Sequence, residues 1–236
     1  MAPLREYSNW NVREAEDEER EPYKGYYLIC EGENTERFYF EKIIDIRKEL
    51  GIASNIKISY LEKTDEDRHS SNPKSLIELA DRFVADNDDT FDAELDEIIL
   101  VFDLDIYEHD RSVFEKIVDI VKQRKYRLAV TNPSFELFLL LHQPGSLDNI
   151  IRPQEKEIIA NAWVSERNKK PKRYINRLFY NTFNINSKSD EAVGALASFL
   201  NIAIEQEKRI NQDYMQSQGV LTSNVGAVLD NIIQNK

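Results

Sequence analysis

Two aspartates one residue apart, Asp103 and Asp105, end the apolar run of LVFDLD, and a third acid, Glu31, ends another in YYLICEG. Residues two apart on a strand share a face, so the paired carboxylates point the same way. They leave the sheet at its C-terminal edge, where open α/β folds place their ligands. Crowded carboxylates repel unless a cation, a proton or a basic side chain compensates them. A divalent metal is the obvious compensator, which makes this chain a candidate metal enzyme. The plain alternative is a set of strand ends that cap helices or face solvent.

Positioning these acids requires a sheet, and the chain order supplies one. YYLIC (26–30) reads as a short buried strand and TERFYFEKIIDIRKEL as a helix stopping at Gly51, with Thr35 as its N-cap. IKISYLE alternates like a half-buried strand. SNPKSLIELADRFVADN is a helix with Asn72 as N-cap and Pro73 at its first position. EIILVFDLD is too apolar for an edge strand, DRSVFEKIVDIVKQRK is a helix opening at Asp110, and RLAVT is a further strand. This alternation predicts an α/β fold, a mostly parallel sheet flanked by helices. Glu31, Asp103 and Asp105 then converge on one rim by topology. PSFELFLLLHQ begins a helix with Asn132 as N-cap, Pro133 at the first position and Glu136 in the first turn. Mostly helical segments follow: EKEIIANAWVSERNK, KPKRYINRLFYNTF, a long SDEAVGALASFLNIAIEQEKRINQDYMQ, and NVGAVLDNIIQ capped by Ser223. The expected organisation is an acidic arm over 1–22, an α/β domain over 23–147, and a helical C-terminal extension over 148–236 packed on it.

Composition narrows the class. The chain has 236 residues, 41% hydrophobic, with 11 Tyr and 11 Phe, values of a globular protein. No apolar run approaches the roughly 20 residues of a membrane span, and no secretory signal is visible. The single cysteine, Cys30, fits a reducing cytoplasm and reads as a buried small hydrophobe. A net charge of −12 argues against broad sequence-independent binding to nucleic acid. Acid is concentrated in EAEDEER and DNDDTFDAELDE, however, and base in RNKKPKR, so a local basic face is compatible with an acidic whole. Lys169, Lys170, Lys172 and Arg173 are the phosphate-binding candidates, with Tyr174 available for stacking; the alternative is a solvated turn around Pro171. No G-x-x-x-x-G-K loop is present, so an intrinsic ATPase is not expected.

ICEGENTE with the following FYFE, then VFDLD, then TNPSFELFLLLH resemble the RloB-like family of Toprim-domain proteins, over roughly residues 25–145 and more weakly through KPKRYINRLF and LTSNVGAVLDNI. The resemblance implies a Toprim-like fold, with Glu31 as the Toprim glutamate and Asp103 and Asp105 as its Asp-x-Asp pair. It further implies a Mg²⁺-dependent (or Mn²⁺-dependent) nuclease hydrolysing phosphodiester bonds of DNA or RNA in bacterial anti-phage defence. Mg²⁺ is a hard ion that prefers oxygen ligands and keeps several waters. Asp103 and Asp105 would hold one or two ions, and Glu31 a second ion or the proton of the attacking water. Glu136 matches a position peculiar to the family and joins the catalytic candidates. Glu33, Asn34 and Glu36 are placed to shape the metal site, Glu36 otherwise being a first-turn acid. His142 is a phosphate or proton contact or else structural, while His109 and His69 read as loop residues. The alternative function is a non-catalytic Toprim scaffold or sensor that partners an ATPase subunit in a defence complex. A homo-oligomer is also compatible.

Overall fold

The computed structural model describes residues 24–32, 34–63, 73–104, 111–165, 170–189 and 191–235. The arm over 1–22 and the assignments made for Glu33, His69, Asn72, Asp105, His109, Asp110 and Lys169 lie outside the described residues.

Strands β1 (Lys24–Cys30), β2 (Ile56–Tyr60), β3 (Glu97–Asp103) and β4 (Arg127–Asn132) alternate with helices α1 (Thr35–Asp45), α2 (Pro73–Asp86) and α3 (Arg111–Arg124). A short α4 (Glu136–Leu140) follows β4, then a π turn (Leu147–Ile151), α5 (Glu155–Ala160), the strands β5 (Trp163–Val164) and β6 (Lys172–Arg173), and α6 (Tyr174–Phe183). A 3₁₀ segment (Glu191–Phe199), α7 (Leu200–Glu207), β7 (Thr222–Ser223) and α8 (Val225–Gln234) complete the order. The main sheet runs β2-β1-β3-β4-β7, with the first four strands parallel and β7 antiparallel to β4. The α/β class, the mostly parallel sheet and the C-terminal helices agree with the reading of the sequence.

Both sheet faces are covered, which is why EIILVFD reads as a continuous apolar run. Ile29, Leu100, Phe102, Leu128 and Val130 pack on α2 and α3 through Leu76, Ala80, Phe114 and Val118. On the opposite face Leu28, Cys30, Val101 and Ala129 join α1, α4 and the later helices in one larger core, which includes Tyr39, Phe138, Phe179, Leu200 and Leu229. Residues after 147 therefore share the core of residues before it. Among the described residues no helix is long and apolar enough to cross a membrane.

Several local expectations are corrected. Asn34, not Thr35, occupies the N-cap position of α1, and the Thr35 hydroxyl donates to Ser187 O at 2.9 Å. Asn132 is the last residue of β4, and a cis Asn132–Pro133 peptide precedes α4, whose first residue is Glu136. Asn132 therefore caps nothing; its Nδ2 donates to Ser217 O (2.8 Å) and Val220 O (3.0 Å). The long helix expected after residue 190 is a 3₁₀ segment followed by an α-helix that ends at Glu207. The 3₁₀ segment packs tightly enough on α1 that a Cβ on Gly194 would meet Phe38 O at 2.8 Å. The helix expected after 155 stops at Asn161, which is left-handed (φ 38°), and the chain then turns into β5.

Ser223 lies in β7 and does not cap α8. Its hydroxyl donates to Glu207 Oε1 at 2.5 Å, and Glu207 also accepts from Gly226 N (2.9 Å) and Ala227 N (2.7 Å). A buried glutamate thus takes the first N–H groups of α8, the end where a negative charge is favoured.

Candidate metal and phosphate site

The chain leaves β1 for β2 on one side and for β3, later, on the other, so strand order reverses between β1 and β3. At such a switch point the loops diverge from the C-terminal strand ends and leave a crevice. Glu31 follows β1 and Asp103 ends β3 at this place. Glu31 Oε2 accepts from Asp103 N at 3.4 Å, and Lys63 Nζ donates to Glu31 O.

Asp103 occupies the same sheet face as Val101 and Ala129, toward the larger core. Its Oδ1 accepts from Thr131 Oγ1 at 2.7 Å, across the β3–β4 pair. Burial pushes its carboxyl well above the ordinary aspartate range, the carboxylates of Glu36 and Glu136 push further, and Lys188 and the Thr131 hydroxyl only partly offset them. Glu36 responds in the same direction: burial raises it, Lys188 lowers it, and Glu136 adds to the rise. The Oε2 atom of Glu36 is buried with no hydrogen-bond partner. Gly32 makes room for this carboxylate, since a Cβ there would lie 2.0 Å from Glu36 Oε2.

Glu136 is fully buried at the start of α4 and is the best-satisfied acid of the group. Ser134 Oγ donates to its Oε2 at 2.6 Å, while Asn176 Nδ2 (2.5 Å), Ser187 Oγ (2.8 Å) and Lys188 Nζ (3.2 Å) converge on Oε1. Burial works against its ionisation, but Lys188 and the two serine hydroxyls outweigh that and hold its carboxyl below the usual range. Lys188 is held above its ordinary value by the Glu136, Glu36 and Asp103 carboxylates, against the effect of burial. Its side chain keeps 57% of its surface exposed while its ammonium meets the fully buried Glu136.

The acids brought together are therefore Asp103, Glu36 and Glu136 around Lys188, with Glu31 beside the Asp103 backbone. Among the described residues no three His, Cys, Asp or Glu stand together as a metal-holding group. One lysine does not stabilise three neighbouring carboxylates together, since the Asp103 and Glu36 carboxyls stay raised beside it, and Glu36 Oε2 is a buried oxygen without a hydrogen-bond partner. That donor set fits a hard cation that keeps most of its waters. Lys188, Ser187 and Asn176 were not foreseen, because nothing local marks residues some 40–50 positions from Glu136 as its partners.

His142 has no part in this centre. Its Nδ1 faces Phe138 O (3.0 Å) and Leu139 O (3.2 Å) and must carry the proton, so Nε2 accepts from Tyr39 Oη at 2.9 Å. Burial lowers its pKa to about 4, and the ring is a neutral core residue. Cys30 is buried, and burial, then the Glu36 carboxylate, push its thiol well up.

The basic segment forms a two-stranded ribbon with two faces. Trp163 pairs with Arg173 and Val164 with Lys172. Arg173 lies 4.8 Å over the Trp163 ring and donates to Asn161 O at 3.2 Å, while Trp163 is 63% exposed. Lys172 lies 5.3 Å over the Tyr180 ring on the other face. Lys170 and Lys172 line a cavity of about 230 Å³ there. Tyr174 is tied to Gln154 Oε1 at 2.7 Å and packed on the core, so Trp163 and Tyr180 are the exposed rings beside the ribbon.

A family model described as RloB-like protein matches residues 26–235. No curated protein and no solved structure matches the chain.

Proposed function

The chain belongs to the RloB-like family, and from that premise we propose that it is a Toprim-type, Mg²⁺-dependent nuclease that hydrolyses phosphodiester bonds of DNA or RNA in cytoplasmic anti-phage defence. The observation that carries this reading is Asp103: a half-buried carboxylate at the switch point, pushed up by desolvation, Glu36 and Glu136, and incompletely offset by Lys188. Asp103 and Glu31, with Asp105 two residues on, would hold the ion (Mg²⁺ or Mn²⁺), and Glu36 offers a further oxygen. When bound, the ion polarises the phosphate and lowers the pKa of its water. Thr131 orients the Asp103 carboxylate, and Lys63 and the Asp103 amide fix Glu31. Lys188 reaches toward solvent with a positive charge suited to a phosphate oxygen, and Glu136 fixes that lysine rather than touching substrate. Lys169, Lys170, Lys172 and Arg173 would guide the strand, with Trp163 as a stacking surface.

The test is incubation of purified protein with DNA and RNA panels in Mg²⁺ or Mn²⁺, beside Asp103→Asn. The variant keeps the Thr131 contact and removes the strained charge. It is expected to lose hydrolysis at least 100-fold while gaining about 1 kcal/mol in metal-free buffer at pH 7.5, seen as a Tm rise of about 2–4 °C. Equal activity in both proteins removes the catalytic assignment. A second reading, a non-catalytic Toprim scaffold partnering an ATPase subunit, is favoured by the lysine already sitting among the acids. It is expected to show no hydrolysis in either protein and defence in cells that survives Asp103→Asn.

A further inference from the structure

The cavity beside the basic ribbon has a chemistry of its own. Lys170, Lys172 and Arg177 line it, Asn181 and Asn186 offer carboxamide donors and acceptors, and Val164 with the Tyr180 ring supply apolar lining. No acidic side chain lines it among the described residues. Lys170 and Lys172 on one concavity, with the Arg177 side chain beside them, give a chain of net charge −12 a local positive site that favours an anion. The Lys172 ammonium also lies over the Tyr180 ring, a contact that favours its place at the cavity.

Size selects among anions. At about 230 Å³ the cavity exceeds the roughly 30 Å³ share of a single water several-fold, yet falls short of the 300–1,000 Å³ of drug-sized sites. It has room for a phosphoryl group with the sugar or part of the base attached, and not for an extended strand.

Position gives the cavity a connection to the acids. Asn186 lines it, Asn186 Oδ1 accepts from Lys188 N at 3.4 Å, and Ser187 and Lys188 bind Glu136. One short loop thus has a cavity residue at one end and the acid centre's lysine at the other. Arg177 and Asn176 divide α6 in the same way, Arg177 lining the cavity and Asn176 donating to Glu136.

We propose that this cavity binds the phosphate of a single nucleotide unit, with Lys170, Lys172 and Arg177 as anion contacts and Asn181 and Asn186 as hydrogen-bonding partners. Its meaning as a subsite of a nuclease rests on the function proposed above, but the binding does not. The nucleotide arrives either within a strand or as a free molecule, and one experiment separates these sources.

Binding is measured with the full chain in EDTA, which keeps it independent of any metal at the acids. The probes are AMP, adenosine, inorganic phosphate and a fluorescein-labelled five-residue oligonucleotide with and without a 5′-phosphate. The variants are Lys172→Gln with Arg177→Gln, and a control of equal charge change on α3, Lys116→Gln with Lys122→Gln. The cavity variant is expected to weaken a phosphate-bearing probe at least 10-fold, and to flatten the salt slope of oligonucleotide binding by about 1. The α3 control is expected to leave both unchanged. If the double variant does not fold, Lys170→Gln and Asn181→Leu are read in its place. Sensitivity of AMP alone identifies a free nucleotide; sensitivity of the oligonucleotide alone identifies a strand phosphate. Equal losses in the cavity and control variants, adenosine binding as well as AMP, or no phosphate-dependent binding at all overturns the proposal. Failure of hydrolysis would appear separately, as equal behaviour of wild type and Asp103→Asn in Mg²⁺.

Discussion

Glu136 is the acid whose removal has the most calculable consequence. Glu136→Ala leaves two buried donors, Ser134 Oγ and Ser187 Oγ, and the half-buried Asn176 Nδ2 without the acceptor they now share. Each orphaned donor costs about 1 kcal/mol or more. The Lys188 pair adds little, because a side chain 57% exposed recovers most of its hydration when the partner goes. The sum, with the space vacated, is about 3–5 kcal/mol, a large part of an ordinary stability of about 5–15 kcal/mol. For a chain of this length that corresponds to a fall of about 6–20 °C in Tm. Glu136→Gln keeps the volume and one acceptor oxygen, and the Ser134 hydroxyl can turn to accept from the new amide, so its cost is about 1–2 kcal/mol. Thermal unfolding followed by circular dichroism reads both variants, and hydrogen exchange over residues 184–189 reads whether the Ser187–Lys188 loop has come loose. The glutamate's folded pKa is depressed, so its contribution is present above the ordinary value near 4.5 and is lost as pH falls through the folded value. The wild-type advantage over Glu136→Gln therefore shrinks below about pH 4.5. Equal losses for Ala and Gln, or losses under about 2 °C for both, would refute the account of Glu136 as the shared acceptor of this loop.

Two other perturbations follow from the same geometry. His142 is held neutral with a pKa of about 4, against an ordinary 6.5, so its stabilising contribution is complete above pH 6.5 and is lost as pH falls toward 4. The loss amounts to about 3 kcal/mol, and guanidinium unfolding across that window is expected to show a one-proton slope that His142→Gln removes. Gly32→Ala would place a Cβ 2.0 Å from Glu36 Oε2, and a flexible carboxylate yields more cheaply than backbone. We expect Tm to change by less than about 2 °C while Mn²⁺ affinity, read by electron paramagnetic resonance, falls about 10-fold; unchanged affinity would take Glu36 away from the ion.

The layered architecture was legible because EIILVFD and RLAVT are too apolar for anything but a sheet covered on both sides, and because helices with 3.6-residue stripes separate them. Asp103 was legible for the same reason, as a carboxylate at the end of such a run. The make-up of its surroundings was not. Glu36 looks like an ordinary first-turn acid until Gly32 is seen to admit its carboxylate. Lys188 lies in a polar loop whose importance comes only from contact with Glu136, far away in sequence. At the expected caps tertiary partners outweigh local ones: Thr35 bonds to Ser187, Asn132 to Ser217 and Val220, and Ser223 to Glu207. The helix expected after residue 190 tightened to 3₁₀ where it presses on α1, a constraint that local propensity does not record.

The antiparallel strand β7 also has a consequence for how the chain comes to be folded. It pairs Thr222 and Ser223 with Asn132 and Thr131, at the end of β4 beside Asp103. In synthesis that partner follows β4 by about 90 residues, or about 5–20 s at ribosomal rates. During that interval the outer edge of β4 is unpaired at its C-terminal end, and the apolar row Leu137–Leu141 waits for α6, α7 and α8. Lys188 emerges within the same interval, so the acids of residues 36, 103 and 136 precede the cation that partly neutralises them. The nascent chain thus carries a sticky and incomplete centre until its C-terminal third arrives, and the β4 edge beside Asp103 is closed only when synthesis has passed β7.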